Sequence, residues 1–443
     1  MFMGVSLWVA TPYPDDHDGV NFVMGVQRFD IQWHQPHFPG YPVYIAAGKV
    51  MAALTGSVEW GLICVSTLSM AVAILALLAI ARGSVAFSGL MAMLAAMMAN
   101  PAMFQFGHKI FSEPMGLALL CLSALAIHGA NPGSGKWSIS GFMLGLTLGA
   151  RLSWWPFAPG FAIAAFGAGH LVPMTAGMAI GVMAWLLPLA WPMGLVDLLN
   201  TGLAFTNGHF THWDGAAING GFSTRGGFML KNLGVIAGIA PGFWGVLAGA
   251  PMALGVAFGI VTLVHNRNDK GYFSTAQRAL LAGAGFYFCW LMLGQNVTKV
   301  RHFLPFFPVV AIALAPVARK APMALFLVAA MMAGGAVGEH IKRDSSLPPP
   351  IQMRLWLESN ADRATVYCGW AERFFDLYPS RAKIYSVPMA DALPQIIGSE
   401  FAPSGTRFLC SDIPGLSLSG APTMTFAPRA GDIVDMPLQL LPI

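Results

Sequence analysis

Carboxylates crowded beside oily chain are the groups here most able to do chemistry. Asp15, Asp16, Asp18 and Asp30 fall within sixteen positions, although residues 1–338 hold only nine acidic side chains in all. Like charges this close resist burial unless a proton, a cation or a substrate makes use of them. A solvated loop tip is the plain alternative, because charge runs usually are that. Against it stand cations that recur beside later apolar runs: Lys49, then His108 and Lys109 in FGHKIFSEP, Arg151 in GARLSWWPFAP, and Lys299, Arg301 and His302 in NVTKVRHFLPFFP. Arginine can grip a phosphate through two parallel N–H bonds and lysine adds a point charge, so cations from several helix ends suit a lipid phosphate or diphosphate. Snorkelling anchors are the competing account, and for Arg225 and Lys231 the two are evenly matched. A carboxylate that accepts the proton of an attacking hydroxyl or amine, set against cations that stabilise a departing phosphate, fits transfer of a group from a lipid-linked phosphate.

The elements that must position these groups are membrane helices. The chain has 443 residues, 56% hydrophobic and 10% charged, with a mean hydropathy of +0.62, too few charges to cover a water-exposed surface. The expected fold is mainly α: a polytopic helical bundle over residues 1–338 and a small C-terminal α/β soluble domain over 339–443, where 20 of the 44 charged residues lie. Apolar runs at 58–81, 84–104, 113–130, 139–150, 154–168, 172–193, 240–264, 279–294, 303–319 and 321–338, with Met1–Thr11, predict about eleven spans. The first run reaches only about half of the hydrocarbon core at 1.5 Å per residue. Between it and the second lies an outer region, 13–57, with interfacial helices expected over 20–29 and 41–54 around a proline-rich break.

Arg82, Lys136, Arg267, Lys270, Arg278, Arg319 and Lys320 share one side if each run crosses once, and that side is expected to be cytoplasmic. The acidic cluster, the 194–239 connection and the soluble domain then face outward. In that domain short apolar runs at 364–368, 382–387 and 407–410 alternate with expected helices at 371–378 and 389–397. Five scattered cysteines form no CxxC and no metal-ligand spacing, and a Cys368–Cys410 disulfide is expected only if the domain lies outside the cytoplasm. A net charge of +4 without any Lys/Arg-rich run excludes nucleic acid as the expected partner.

At these residues the chain resembles the GT-C superfamily of integral-membrane glycosyltransferases, in the branch of protein O-mannosyltransferases and lipid A aminoarabinose transferases. The acidic motif of the first outer loop is similar to Asp18-Gly19-Val20-Asn21-Phe22, and the proline-rich lead into an interfacial helix to HQPHFPGYPVYIAAGK at 34–49. A second acidic position matches Ser112-Glu113-Pro114, while GLTLGAR at 145–151 and RHFLP at 301–305 resemble later elements. The resemblance covers about residues 1–320. It implies a polyprenyl-phosphate-linked sugar donor, a glycan, lipid or protein acceptor, an outward-facing site among membrane lipids, and inversion at the sugar carbon. By this match Asp18 is the expected base with Asp16 second, and Glu113 orients the acceptor or shares its proton. Asp15, His37, Lys49, His108, Lys109, Arg151, Lys299, Arg301 and His302 are the expected substrate-binding set. Trp33, His34, His37, Trp154 and Trp155 could stack on sugar or anchor the interface, and THWDG at 211–215 could bind acceptor. No cofactor is expected; three nearby carboxylates offer oxygen donors for a divalent metal, but the resembled branch does not require one. A transporter or flippase of a lipid-linked saccharide is the alternative, although no internal repeat supports it.

Overall fold

The computed structural model describes residues 2–129, 131–211, 222–240, 243–269, 272–341, 347–399, 406–413, 415–416, 421–427 and 438–442. In chain order the helices of the first part are α1 (Phe2–Val9), α2 (His17–Gln27), α3 (Pro42–Thr55), α4 (Val58–Ala81), α5 (Phe87–Ala99), α6 (Pro101–Gly107), α7 (Glu113–Ala126) and α8 (Ser134–Ala150). They continue as α9 (Phe157–Gly167), α10 (Leu171–Met193), α11 (Leu195–Thr211), α12 (Phe222–Ile236), α13 (Phe243–His265), α14 (Thr275–Gly294), α15 (Phe307–Lys320) and α16 (Pro322–Ile341). A 3-10 segment, Val300–Phe306, leads straight into α15.

Four of these stretches are long and apolar enough to cross a membrane among the described residues: Val58–Ala81, Leu171–Met193, Gly245–His265 and Val300–Lys320. A fifth is the pair α5 and α6, bent by 63° at Asn100. The bend has a local cause. Asn100 precedes Pro101, which disfavours helical backbone there, and its side-chain oxygen accepts from the amides of Ala102 and Met103 to start α6 afresh. Helix length alone therefore does not reach the expected eleven spans: the runs at 113–130 and 154–168 fold as α7 and α9, of 14 and 11 residues. The expected outer connection 194–239 is also different, since most of its described part is helical, in α11 and α12. Of THWDG, Thr211 ends α11 and residues 212–215 lie outside the described residues.

Lipid offers little hydrophobic drive between helices, so close packing must hold the bundle. α8 and α10 make the tightest pair: a Cβ on Gly141 would strike the Met174 carbonyl, and one on Gly177 the Ser138 carbonyl. This approach, with Trp185 Nε1 donating to the Gly145 carbonyl at 3.0 Å, fixes the C-terminal end of α8, where Arg151 stands. Trp154, Phe157, Tyr287 and Phe307 are fully buried and knit α9, α14 and α15 into one core.

The C-terminal part carries α17 (Pro349–Asn360), β1 (Thr365–Cys368), α18 (Glu372–Leu377), β2 (Lys383–Ser386), α19 (Leu393–Ser399), β3 (Arg407–Cys410), β4 (Met424–Phe426) and β5 (Leu438–Pro442). Sheet order is β2-β1-β3-β5-β4, parallel across the first three strands and antiparallel across the last pairs. The alternation of strand side chains puts Val366, Cys368, Phe408 and Cys410 on the face that packs under α17. Cys368 and Cys410 thus lie side by side as thiols within hydrogen-bonding reach. Asp412 adds a third donor group within 4.8 Å, but both its oxygens already accept backbone amides, of Gly369 at 2.9 Å and Ala371 at 2.6 Å.

Candidate functional site

The acidic loop enters α2 through a cap. Asp16 stands at the N-cap in extended backbone and its Oδ1 accepts the Gly19 amide at 2.8 Å, a short polar side chain answering an otherwise orphan helix donor. Asp18 follows in the first turn, where the positive end of the helix favours a carboxylate. The two acids then meet one cation from the far end of the chain. Arg301, in the 3-10 segment before α15, places Nη1 at 2.7 Å from Asp16 Oδ2 and Nη2 at 2.6 Å from Asp18 Oδ2.

A third carboxylate backs this pair. Glu113 opens α7 wholly buried and lies 2.8 Å from Arg151 Nη2, the residue that ends α8. Arg301 Nε is 3.8 Å from Glu113 Oε1, too long for a hydrogen bond, and the buried Nε groups of both Arg151 and Arg301 have no hydrogen-bond acceptor among the described residues. Such an unmet donor costs about 1–3 kcal/mol. Arg151 also caps the face of Tyr41, 5.5 Å from the ring centre, and Arg301 that of Phe111 at 5.7 Å.

These groups open onto a cavity of about 610 Å³. Its lining holds the ionisable Asp18, His37, Arg151, Lys299, Arg301 and His302 together with the aromatics Trp155, Phe205, Phe210 and Trp290. His37 Nδ1 lies 3.6 Å from Asp18 Oδ1, its Nε2 shares a 2.8 Å hydrogen bond with Tyr41 Oη, and its ring stacks on Phe205. Burial opposes ionisation of Asp18, but Arg301, with smaller help from His37 and Lys299, holds its carboxyl well below the usual carboxylate range. Burial pulls the His37 imidazole down to about 4 despite the attraction of Asp18, so it is neutral at pH 7. The charge of Arg301 lowers Lys299, and desolvation by the cavity lining around its partly solvent-exposed side chain adds to this. It is the one cation of this lining without a carboxylate partner among the described residues.

Most of the sequence-chosen residues converge, and the exceptions have physical reasons. Asp16 and Glu113 stand behind the lining as partners of Arg301 and Arg151, leaving Asp18 as the carboxylate that lines the cavity. Asp15 is spent on Lys109, whose Nζ donates to its Oδ1 at 3.2 Å in a buried pair away from the cavity lining. His108 is buried as well, its Nδ1 2.7 Å from the Phe104 carbonyl. Lys49 is not brought to the site: it projects from an exposed face of α3, whose buried side is Tyr44, Ile45 and Gly48. His302 lines the cavity but its Nδ1 faces the Asn296 carbonyl at 2.8 Å. Trp155 and His34 also line it, whereas Trp33 is exposed and Trp154 belongs to the core. Each of the three paired carboxylates has its charge met by a guanidinium. Sequence reasoning missed Tyr41 and the α11 aromatics; Leu195, Leu198, Leu199 and Leu203 were the helical signal that would have found α11.

Four helices tie this site to a basic rim. α4 begins near it and ends at Arg82; α8 runs from Lys136 to Arg151; α14 from Arg278 toward Gln295; and α15 from beside Arg301 to Arg319 and Lys320. The fold and site thus define an integral-membrane protein with a carboxylate–guanidinium centre at one end of its bundle. Among solved structures the chain is similar to ArnT from Cupriavidus metallidurans bound to undecaprenyl phosphate, at 12% identity and a TM-score of 0.45, covering 99% of this chain and 96% of that one. It is similar also to the apo state of the same protein, at 13% identity and a TM-score of 0.38, with 92% and 91% covered. No family model and no curated protein matches the chain.

Proposed function

We propose that this protein is a membrane glycosyltransferase that moves a sugar from a polyprenyl-phosphate donor to an acceptor hydroxyl or amine. The observation that carries the reading is Asp18 and Arg301, 2.6 Å apart in a cavity whose lining also holds Lys299, without a carboxylate partner among the described residues, and the aromatics Trp155, Phe205, Phe210 and Trp290. The cations suit a phosphate and the aromatics an apolar chain or a sugar face.

In the reaction the acceptor oxygen or nitrogen attacks the anomeric carbon while Asp18 takes its proton. The bond from that carbon to the phosphate oxygen breaks with inversion, and the oxygen keeps the electron pair as polyprenyl phosphate leaves. Arg301, Lys299 and Arg151, all in the cavity lining, hold the charge that develops there. A carboxylate gripped by Arg301 is a weak base, so donor binding has a second effect. When the donor phosphate draws the guanidinium, Asp18 loses part of its cation and its proton affinity rises toward the ordinary range. His37 stays neutral and holds the Asp18 side of the cavity through Tyr41.

The site belongs, in this reading, on the extracytoplasmic face of a bacterial plasma membrane. Supporting it, the cations Arg82, Lys136, Arg278, Arg319 and Lys320 mark the opposite ends of the four helices that reach the site. The test is purified protein in proteoliposomes with a radiolabelled polyprenyl-phosphate sugar and a membrane-glycan acceptor fraction. Acceptor-dependent release of polyprenyl phosphate is expected. Movement of intact donor between leaflets with no glycosidic bond made would replace the transferase reading with a flippase.

A further inference from the structure

The C-terminal domain grips the loop that carries the proposed base. Arg373 of α18 donates from Nε to Asn21 Oδ1 at 3.1 Å and from Nη2 to the Trp33 carbonyl at 2.8 Å, while Nη1 pairs with Asp376 of its own helix at 2.9 Å. Asn21 is wholly buried one turn beyond Asp18, and its Nδ2 lies 3.1 Å from Nδ1 of His17, a residue of the cavity wall. Trp33 precedes His34, a non-glycine residue at φ +53° that also lines the cavity. Left-handed backbone is disfavoured for such a residue and persists only where its surroundings hold it. Around this fork, Phe374 packs with Val20 and Ile351, and Tyr378 Oη donates to Glu59 at 3.0 Å in the first turn of α4.

One guanidinium therefore joins the helix bearing Asp18 to the loop bearing His34 and His37. We infer that Arg373 is a positioning residue that fixes the distance between these two segments, so that the C-terminal domain is a working part of the site. This rests on the function proposed above. Among the described residues Arg373 bonds to Asn21, Trp33 and Asp376 and to none of the proposed phosphate cations, of which Lys299 and Arg301 stand on a separate segment. Its loss should thus disturb the placement of the base and leave donor binding alone. A misplacement of roughly 1 Å can lower the rate about a hundredfold.

The experiment compares full-length Arg373→Ala and Arg373→Lys in proteoliposomes, with Arg381→Ala, an exposed residue of the same domain, as control. It measures kcat, donor KM and amide hydrogen exchange across residues 17–37. Arg373→Ala is expected to lower kcat at least tenfold, leave donor KM within twofold and speed exchange in that segment. Lysine, unable to reach both acceptors, should restore only part of the rate, and Arg381→Ala should match the wild type. A kcat within twofold of wild type for Arg373→Ala, or exchange no faster than in Arg381→Ala, overturns the inference. If the wild-type protein transfers no sugar, the proposed function fails, and the exchange comparison alone still decides whether Arg373 holds the loop.

Discussion

Lys299→Met separates binding of the leaving phosphate from the integrity of the site. The ammonium lines the cavity and has no carboxylate partner among the described residues, so its removal strands no buried charge and should leave thermal stability unchanged. A hydrogen bond to a charged group contributes about 1.5–3 kcal/mol. Lys299 is exposed to solvent at the cavity, so screening reduces this to about 1–2 kcal/mol, or roughly a 5- to 30-fold rise in donor KM. Initial rates against donor concentration, at two salt strengths, measure it. The wild-type KM should rise with salt and that of the variant should rise less. A KM within twofold of wild type at low salt would refute the phosphate role, as would an equal salt response in both proteins.

Arg301→Met should behave in the opposite way. It takes the shared cation from Asp16 and Asp18, and such loss inside a buried cluster costs about 3–5 kcal/mol, so the unfolding temperature in detergent should drop markedly; an unchanged midpoint would contradict the network. The pH profile follows from the two lowered groups. With Asp18 ionised and His37 neutral, activity should show no acid limb near 6.5 and should persist to about pH 5, and a limb at 6.5 would mean that His37 titrates normally. Stability should fall over a different window. The unfolded chain protonates His37 near its ordinary value of 6.5 while the folded chain does so only near 4, so stability is full above that range and declines as pH falls through it, as thermal melts can show. If the C-terminal domain faces an oxidising compartment, Cys368 and Cys410 should exchange with a protein disulfide and become linked; a non-reducing digest should yield their joined peptide, and two free thiols there would place the domain in a reducing compartment.

Composition and charge placement made the helical bundle, the α/β domain and the meeting of Asp18 with Arg301 legible, because each rests on residue type and segment end. The span count was less legible because hydropathy does not report how long a helix a run will form: the runs at 113–130 and 154–168 fold as helices of 14 and 11 residues. Lys49 misled for a related reason: a cation within an apolar run looks the same in sequence whether its helix face turns toward the cavity or away. Asp15 and Lys109 were both singled out, yet nothing in their spacing says that they neutralise each other 94 positions apart. Tyr41 and Phe205 carried no signal of function, since aromatics are common at membrane interfaces and only the packed structure brings them to His37.

Asp18 and Asp16 share Arg301 but only Asp18 lines the cavity, which gives the account its sharpest test. Asparagine at 16 can still cap α2, so Asp16→Asn should keep activity within about tenfold, while Asp18→Asn should lose about 10²- to 10⁴-fold in kcat, the usual worth of a general base. Single-turnover transfer by the two purified variants, at equal amounts of folded protein, measures this directly. Loss confined to Asp18→Asn is the predicted result; an Asp18→Asn protein that turns over like the wild type, or an Asp16→Asn protein that loses more than it, would contradict the mechanism.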